Sequence, residues 1–269
     1  MVFWVYGGVY GGVYFWDVFL GLGLRAIAMD HPLAGLADRV TPGLQPALDR
    51  NQLAVPDRYD VLVVGCGAAG LYSALCLPDH LRVAVLTKAT LSRSASDWAQ
   101  GGLAAAVATD DSPQFHLQDT LAAGAGLCDR AAVEFLVENA PACVESLVAM
   151  GVGFDRRSSG ELATTLEAAH SHHRVLHAAD ATGRAVVSAL VARVLERSNI
   201  DVIQGAIALD LWLADGLTGP TCRGIIALIQ GRVIRVAAKA TILATGGGGR
   251  VFAQTTNPPV STGDGLAIA

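Results

Sequence analysis

Tyr59-Asp-Val-Leu-Val-Val-Gly-Cys-Gly-Ala-Ala-Gly-Leu71 is the stretch that decides how this chain folds. Val61 to Val64 has the composition of a buried strand and stops at Gly65. Gly65, Gly67 and Gly70 then spell G-x-G-x-x-G, and Leu71-Tyr-Ser-Ala-Leu-Cys-Leu77 is compatible with a helix. Strand, tight turn and helix in that order give each glycine a task. The first permits the turn, the second lets a pyrophosphate approach the backbone, and the third lets helix pack on strand. The phosphates would meet N–H groups at the helix N-terminus, where the dipole favours negative charge. Glycine-rich turns also occur as plain connections, so it is the strand–turn–helix setting that points to dinucleotide binding.

Working outward, residues 81–87 read as a second strand, parallel to the first through a right-handed crossover. Such a strand normally ends in Glu or Asp, which holds ribose hydroxyls. Here the position is Lys88, which cannot accept a hydrogen bond, so NAD bound through a ribose carboxylate is disfavoured. Residues 92–102 are polar, then glycine-rich, and read as a loop. Helical spacing covers 119–125 and 130–150, the latter with Val133, Leu136, Val137, Val144, Leu147 and Val148 as a core-facing stripe. Residues 152–177 are irregular and polar, with Glu167 and four histidines, and 181–197 is a helix with Arg184, Arg193 and Arg197 outward. Strands follow at 202–203 and 206–213, then a hairpin of 223–230 and 232–237 about Gly231, then a separate buried strand at 241–246. The fold class is α/β: a Rossmann-like domain with a parallel sheet and an inserted β-hairpin or meander.

The chain has 269 residues, 52% hydrophobic and 16% charged, enough for a substantial core. A net charge of -5 argues against nucleic acid as a partner. Five scattered cysteines without a CxxC read as reduced, mostly buried thiols of a cytoplasmic protein. Residues 1–24 are apolar but carry Asp17 and several glycines and lack a basic n-region, so a signal peptide fits poorly. They read as a poorly ordered extension or a misplaced start, with membrane association as the alternative. Pro32, Pro42, Pro46 and Pro56 make the following stretch a linker, so residues 1–56 are set apart from a domain at 57–269. Ala269 falls in the first turn of a helix opened by Gly265, and the domain is expected to be incomplete there.

Four motifs stand in order: Gly65-Cys-Gly-Ala-Ala-Gly70, Ser96-Asp-Trp-Ala-Gln-Gly-Gly102, His170-Ser-His-His-Arg-Val-Leu-His-Ala-Ala-Asp-Ala-Thr-Gly-Arg184, and Ala244-Thr-Gly-Gly247 with Ser261-Thr-Gly-Asp-Gly265. Together they resemble the succinate dehydrogenase/fumarate reductase flavoprotein superfamily, most closely its L-aspartate oxidase branch, from about residue 57 to 269. The resemblance implies FAD. Gly65, Cys66, Gly67, Ala68, Ala69 and Gly70 would cradle the pyrophosphate, and Lys88 stands where this family departs from the usual acidic residue. Ala95, Ser96, Asp97, Trp98, Ala99, Gln100, Gly101 and Gly102 would run along the ribityl chain and isoalloxazine. Ile207 and Ala208 match backbone contacts on the adenine side, and Asp264 matches an acceptor for ribityl hydroxyls.

Two positions separate the branches. The flavin-linked His of the succinate and fumarate enzymes is Ala95 here, so FAD is expected to be non-covalent. Glu167, three residues before His170, matches a Glu of the aspartate oxidases and could attract a substrate ammonium that succinate lacks. Glu167 and His170 are the candidate substrate-orienting residues. The family's Arg-Glu-Gly-Gly-His is Leu166-Glu-Ala-Ala-His170 here, with two alanines for glycines. His170, His172, His173 and His177 lack supporting Cys or carboxylate spacing, and no metal is expected. The implied reaction oxidises L-aspartate to iminoaspartate, the first step of quinolinate and NAD biosynthesis, with dioxygen or fumarate as acceptor and a functional link to quinolinate synthase. The family's catalytic arginine, capping domain and C-terminal helical domain would lie beyond Ala269, so this chain is expected to be inactive alone. The alternatives are a fumarate reductase- or succinate dehydrogenase-like flavoprotein and a non-catalytic FAD-binding fragment.

Overall fold

A computed structural model describes residues 4–7, 58–216 and 219–269. Most of the 1–56 extension therefore lies outside the described residues, as does most of the apolar stretch at 1–24. Its described part is a short strand, β1 (Trp4–Gly7), paired antiparallel with residues 240–243. Among the described residues no helix is long and apolar enough to cross a membrane.

The opening stretch forms β2 (Tyr59–Val64) and α1 (Ala68–Cys76), and α1 leads to β3 (Val83–Thr87). After β4 (Leu103–Ala104) come α2 (Pro113–Ala123), α3 (Arg130–Ala149), β5 (Thr164–Thr165), β6 (Val175–Leu176) and α4 (Thr182–Glu196). The chain then runs through β7 (Ile200–Gln204), β8 (Ala206–Gly216), β9 (Gly219–Ile229) and β10 (Arg232–Leu243) to α5 (Asp264–Ile268). The main sheet has the order β7-β3-β2-β10-β9-β8, with β1 also on β10. β7, β3, β2 and the second half of β10 are parallel; β8, β9 and the first half of β10 form an antiparallel meander.

The near-continuous apolar run of β2 follows from its place between two layers. Side chains alternate along a strand. Val61 and Val63 face α1, α3 and α4 through Leu71, Val144, Leu147 and Leu190. Leu62 and Val64 face the meander through Leu211, Ile225, Ala227 and Val236. Each of these four β2 side chains is almost fully buried, a contribution of about 1.5–3 kcal/mol apiece.

Several boundaries differ from the sequence reading, each for a local reason. α2 starts at Pro113, six residues before its apolar spacing becomes legible, because Ser112 caps it by accepting from Phe115 N at 3.2 Å with Pro at the first turn. The hairpin strand and the strand expected at 241–246 are one element, β10, which no turn residue interrupts. Leu136 is exposed rather than part of the α3 stripe, whereas Val137, Val144 and Leu147 are buried. The five cysteines are free, but Cys66 and Cys222 alone are buried; the other three are half-buried.

Candidate functional site

β3 and β7 lie to one side of β2 and β10 to the other, so the strand order reverses between β2 and β10. That is the switch point at which open α/β sheets bind ligands, beyond the carboxyl ends of the strands. A cavity of about 450 Å³ opens there, lined by Val64, Gly65, Leu243 and Ala244 from the two strand ends. Gly65 N donates to Leu86 O and Ala244 N to Val64 O, both at 2.8 Å, which draws the three strand ends together.

The glycines are required by this closeness. Gly65 has φ +113°, and a Cβ there would stand 2.2 Å from Ala244 O. A Cβ on Gly70 would stand 2.0 Å from Gly65 O, so the third glycine seats α1 on the turn. α1 has no side-chain cap and no acidic residue in its first turn, so nothing anionic competes for its N-terminal donors. One donor, Ala68 N, is taken by Ser96 Oγ at 3.1 Å. Burial pushes the Cys66 thiol up, which keeps it neutral, and its Sγ donates to Thr87 Oγ1 at 3.0 Å. These features fit a dinucleotide diphosphate: a backbone cradle, a helix N-terminus free of acid, and a cavity at the switch point.

Lys88, at the end of β3, and Asp264, at the start of α5, both line the cavity and meet across it at 2.6 Å. Burial pushes the Asp264 carboxyl up, but hydrogen bonds from Lys88 and Thr262 and the Lys88 charge outweigh it and hold the group below its usual range. The two residues expected at separate parts of the cofactor thus stand as one pair, a cation and an acceptor able to turn to hydroxyls. Ala95, Ser96, Cys66, Gly67, Ala69 and Ala208 also line the cavity. Ala68, Gly70 and Ile207 do not; Ile207 is exposed on the opposite face of β8, where strand alternation puts it. Arg93, Ser94, Thr245, Val260 and Ser261 line it too and were missed. Thr245 and Ser261 lie inside the fourth motif and Arg93, Ser94 and Val260 lie beside a motif, which is their only sequence signal, since loop residues follow no periodicity.

Beyond Ser96 the second motif leaves the cavity. Asp97 is not free to contact a cofactor: its carboxylate is buried, its N–H donates to Ser94 Oγ at 3.1 Å, and Arg184 Nε lies 3.8 Å away. Trp98, Ala99, Gln100 and Gly101 are exposed. The segment is held on α4, where Gly183 N donates to Ala99 O and a Cβ on Gly183 would lie 2.0 Å from Ser96 O. The Thr182-Gly183-Arg184 end of the third motif is therefore the seat of the second. Gly102 packs onto β6: a Cβ there would meet Val175 Cγ1 at 2.3 Å and His177 Cε1 at 2.8 Å.

His177 connects this segment to Glu167. Its Nε2 lies 3.0 Å from Glu167 Oε1 and 2.9 Å from Thr165 Oγ1. His170 is placed separately, four residues before Arg174 and edge-on to His116. Arg174, which the sequence reading passed over, is fully buried. It makes a two-pronged pair with Asp111 at 2.8 Å each, donates to Asp119 at 2.7 Å, and lies 3.4 Å from His170 Nδ1. Burial pushes Asp119 up, but two bonds from Ser171 and the pairing with Arg174 bring it down to about 2. Phe115 stacks on His172 at 4.6 Å. The histidine-rich motif is thus pinned to α2 by a buried arginine. Among the described residues no group of three or more His, Cys, Asp or Glu is placed to hold a metal ion.

A family model described as FAD binding domain matches residues 60–269. An L-aspartate oxidase of Nostoc sp. is 63% identical over 222 residues, covering 82% of this chain and 38% of that protein. One from Synechocystis sp. is 59% identical over 213 residues, covering 79% and 38%. Among solved structures, E. coli quinol fumarate reductase superposes with a TM-score of 0.74 at 31% identity, over 79% of this chain and 36% of that one. The Sdh1 complex of Mycobacterium smegmatis gives 0.73 at 33%, over 79% and 38%. The chain spans about 38% of the length of the curated relatives it matches.

Proposed function

Because this chain belongs to the family of FAD binding domains and its cofactor is FAD, we propose that it serves the oxidation of L-aspartate to iminoaspartate. The observation that carries the substrate is Glu167: its carboxylate stands on His177, whose ring abuts Gly102 at the end of the segment that seats on α4. An anion there suits an α-ammonium group, which succinate and fumarate lack. Likeness to the curated L-aspartate oxidases, at up to 63% identity, supports the same substrate.

The residues divide the work. Backbone N–H groups of Cys66, Gly67 and Ala69 would hold the diphosphate, with Lys88 and Arg93 adding positive charge at the cavity. Lys88 and Asp264 would exchange their mutual bond for bonds to sugar and ribityl hydroxyls. Ala95 offers no nucleophile to the ring, so the cofactor is held without a covalent link. Bound there, FAD would supply the two-electron acceptor for the Cα–H bond, to be restored by dioxygen or fumarate. Glu167 and His170 would orient the amino acid, the carboxylate accepting hydrogen bonds from the ammonium. We place the product as the substrate of quinolinate synthase and the protein in the cytoplasm.

The test is to load the chain with FAD and titrate it without oxygen against L-aspartate, D-aspartate and succinate. L-Aspartate should perturb the visible flavin band at lower concentration than the other two. Equal responses to L-aspartate and succinate refute the amino-acid reading, and a chain that holds no FAD refutes the cradle.

A further inference from the structure

We infer that His177 is a positioning residue that acts through Glu167: it anchors Oε1 of the carboxylate and leaves the second oxygen to receive the α-ammonium of an amino-acid substrate. This rests on the function proposed above and gives it a specificity determinant. The hydrogen-bond inventory sets the direction of the contacts. The Thr165 hydroxyl donates to Val175 O at 3.4 Å, so toward His177 it acts as an acceptor. An ionised carboxylate can only accept. Both neighbours of Nε2 therefore call for a proton on that nitrogen, and His177 is a donor to Glu167.

The imidazole is itself held in place. The His177 carbonyl accepts from Asp155 N at 2.8 Å, and Cε1 packs against Gly102. Glu167 alone has no such fixture; its side chain is 48% exposed and its flexible stem has several rotamers to choose among. The histidine removes that freedom on the side nearest Gly102. A dicarboxylate without an ammonium gains nothing from the oxygen so presented, so the pair discriminates by what it offers rather than by size.

The experiment follows the flavin band of the FAD-loaded chain during titration with L-aspartate and with succinate. His177→Phe keeps a ring but removes the donor. L-Aspartate affinity should fall about tenfold, as for loss of one charge-assisted hydrogen bond, with succinate affinity held within about twofold. His177→Gln, whose amide can place an N–H near the Nε2 position, should recover most of the loss. In a Glu167→Gln background, His177→Phe should add nothing, because the two act as a unit. Unchanged L-aspartate affinity, equal losses for both ligands, or a loss that persists in the Glu167→Gln background each overturn the proposal. Nitrogen NMR of histidine-labelled chain supplies a readout that needs no substrate: Nε2 of His177 should carry the proton, and a bare Nε2 overturns the proposal by itself. A chain with protonated Nε2 that ignores L-aspartate instead overturns the substrate reading.

Discussion

Asp111→Ala should destabilise the fold more than any surface substitution, because it strips a buried guanidinium of a two-pronged partner. Arg174 and the Asp111 side chain are both fully buried, and the two bonds between them are 2.8 Å each. A hydrogen bond to a charged group contributes about 1.5–3 kcal/mol, so two amount to about 3–6. Breaking a buried pair by removing one partner costs about 3–5 kcal/mol, in agreement. Asp119 remains on the other nitrogen and moderates the loss, which points to about 3–4 kcal/mol, a large share of the ~5–15 of an ordinary domain. Urea unfolding followed by far-ultraviolet circular dichroism measures it as a lower midpoint at unchanged slope. The double variant Asp111→Leu with Arg174→Met removes the fully buried pair, leaves Asp119 to its two bonds from Ser171, and should recover at least half of the loss. A single variant within about 1 kcal/mol of the parent, or a double variant as costly as the two singles summed, refutes the account.

The same network sets an acid limit. Asp119 is held at about 2 in the fold against 3.8 ordinarily. A depressed carboxyl stabilises above its unfolded pKa and loses that contribution as pH falls toward its folded one. Unfolding free energy should therefore drop by about 2 kcal/mol between pH 4 and pH 2 on its account, and Asp119→Asn should flatten that part of the profile. Gly183→Ala drives a methyl into Ser96 O and should weaken FAD binding at least about tenfold by fluorescence titration, while Gly101→Ala, with open space at its Cβ, should leave stability within about 0.5 kcal/mol. Flavin should separate from the polypeptide on a denaturing gel; fluorescence that stays with the protein contradicts the reading of Ala95.

What was legible in the sequence is what is local. Gly65, Gly67 and Gly70 announce their turn because strand, glycines and helix are contiguous, and β2 shows its burial in an unbroken apolar run. Cofactor chemistry was legible in the same way, as short ordered motifs. The buried triad was not: Asp111 and Asp119 stand 63 and 55 positions from Arg174, and in sequence each is an ordinary polar residue. The Lys88–Asp264 pair spans 176 positions and is equally silent. Glu167 stands out in its motif, but the motif gives no sign that His177, one of four histidines, is its neighbour, because that contact depends on β5 and β6 lying side by side. β10 was read as two strands because its two halves serve different layers, and a change of environment within one strand imitates an ending.

The pairing of β2 with β10 also sets a timetable. The two walls of the cofactor crevice are about 180 residues apart in sequence, so the glycine turn leaves the ribosome long before the strand that closes it. At about 5–20 residues per second, the nascent chain spends roughly 10–35 s with Gly65–Gly70 made and its opposite wall still unsynthesised. During that interval β2 and β3 can pair with each other but hold no cofactor. Cofactor capture is consequently a late event that follows translation of β10, and FAD can stabilise the fold only after that interval has ended.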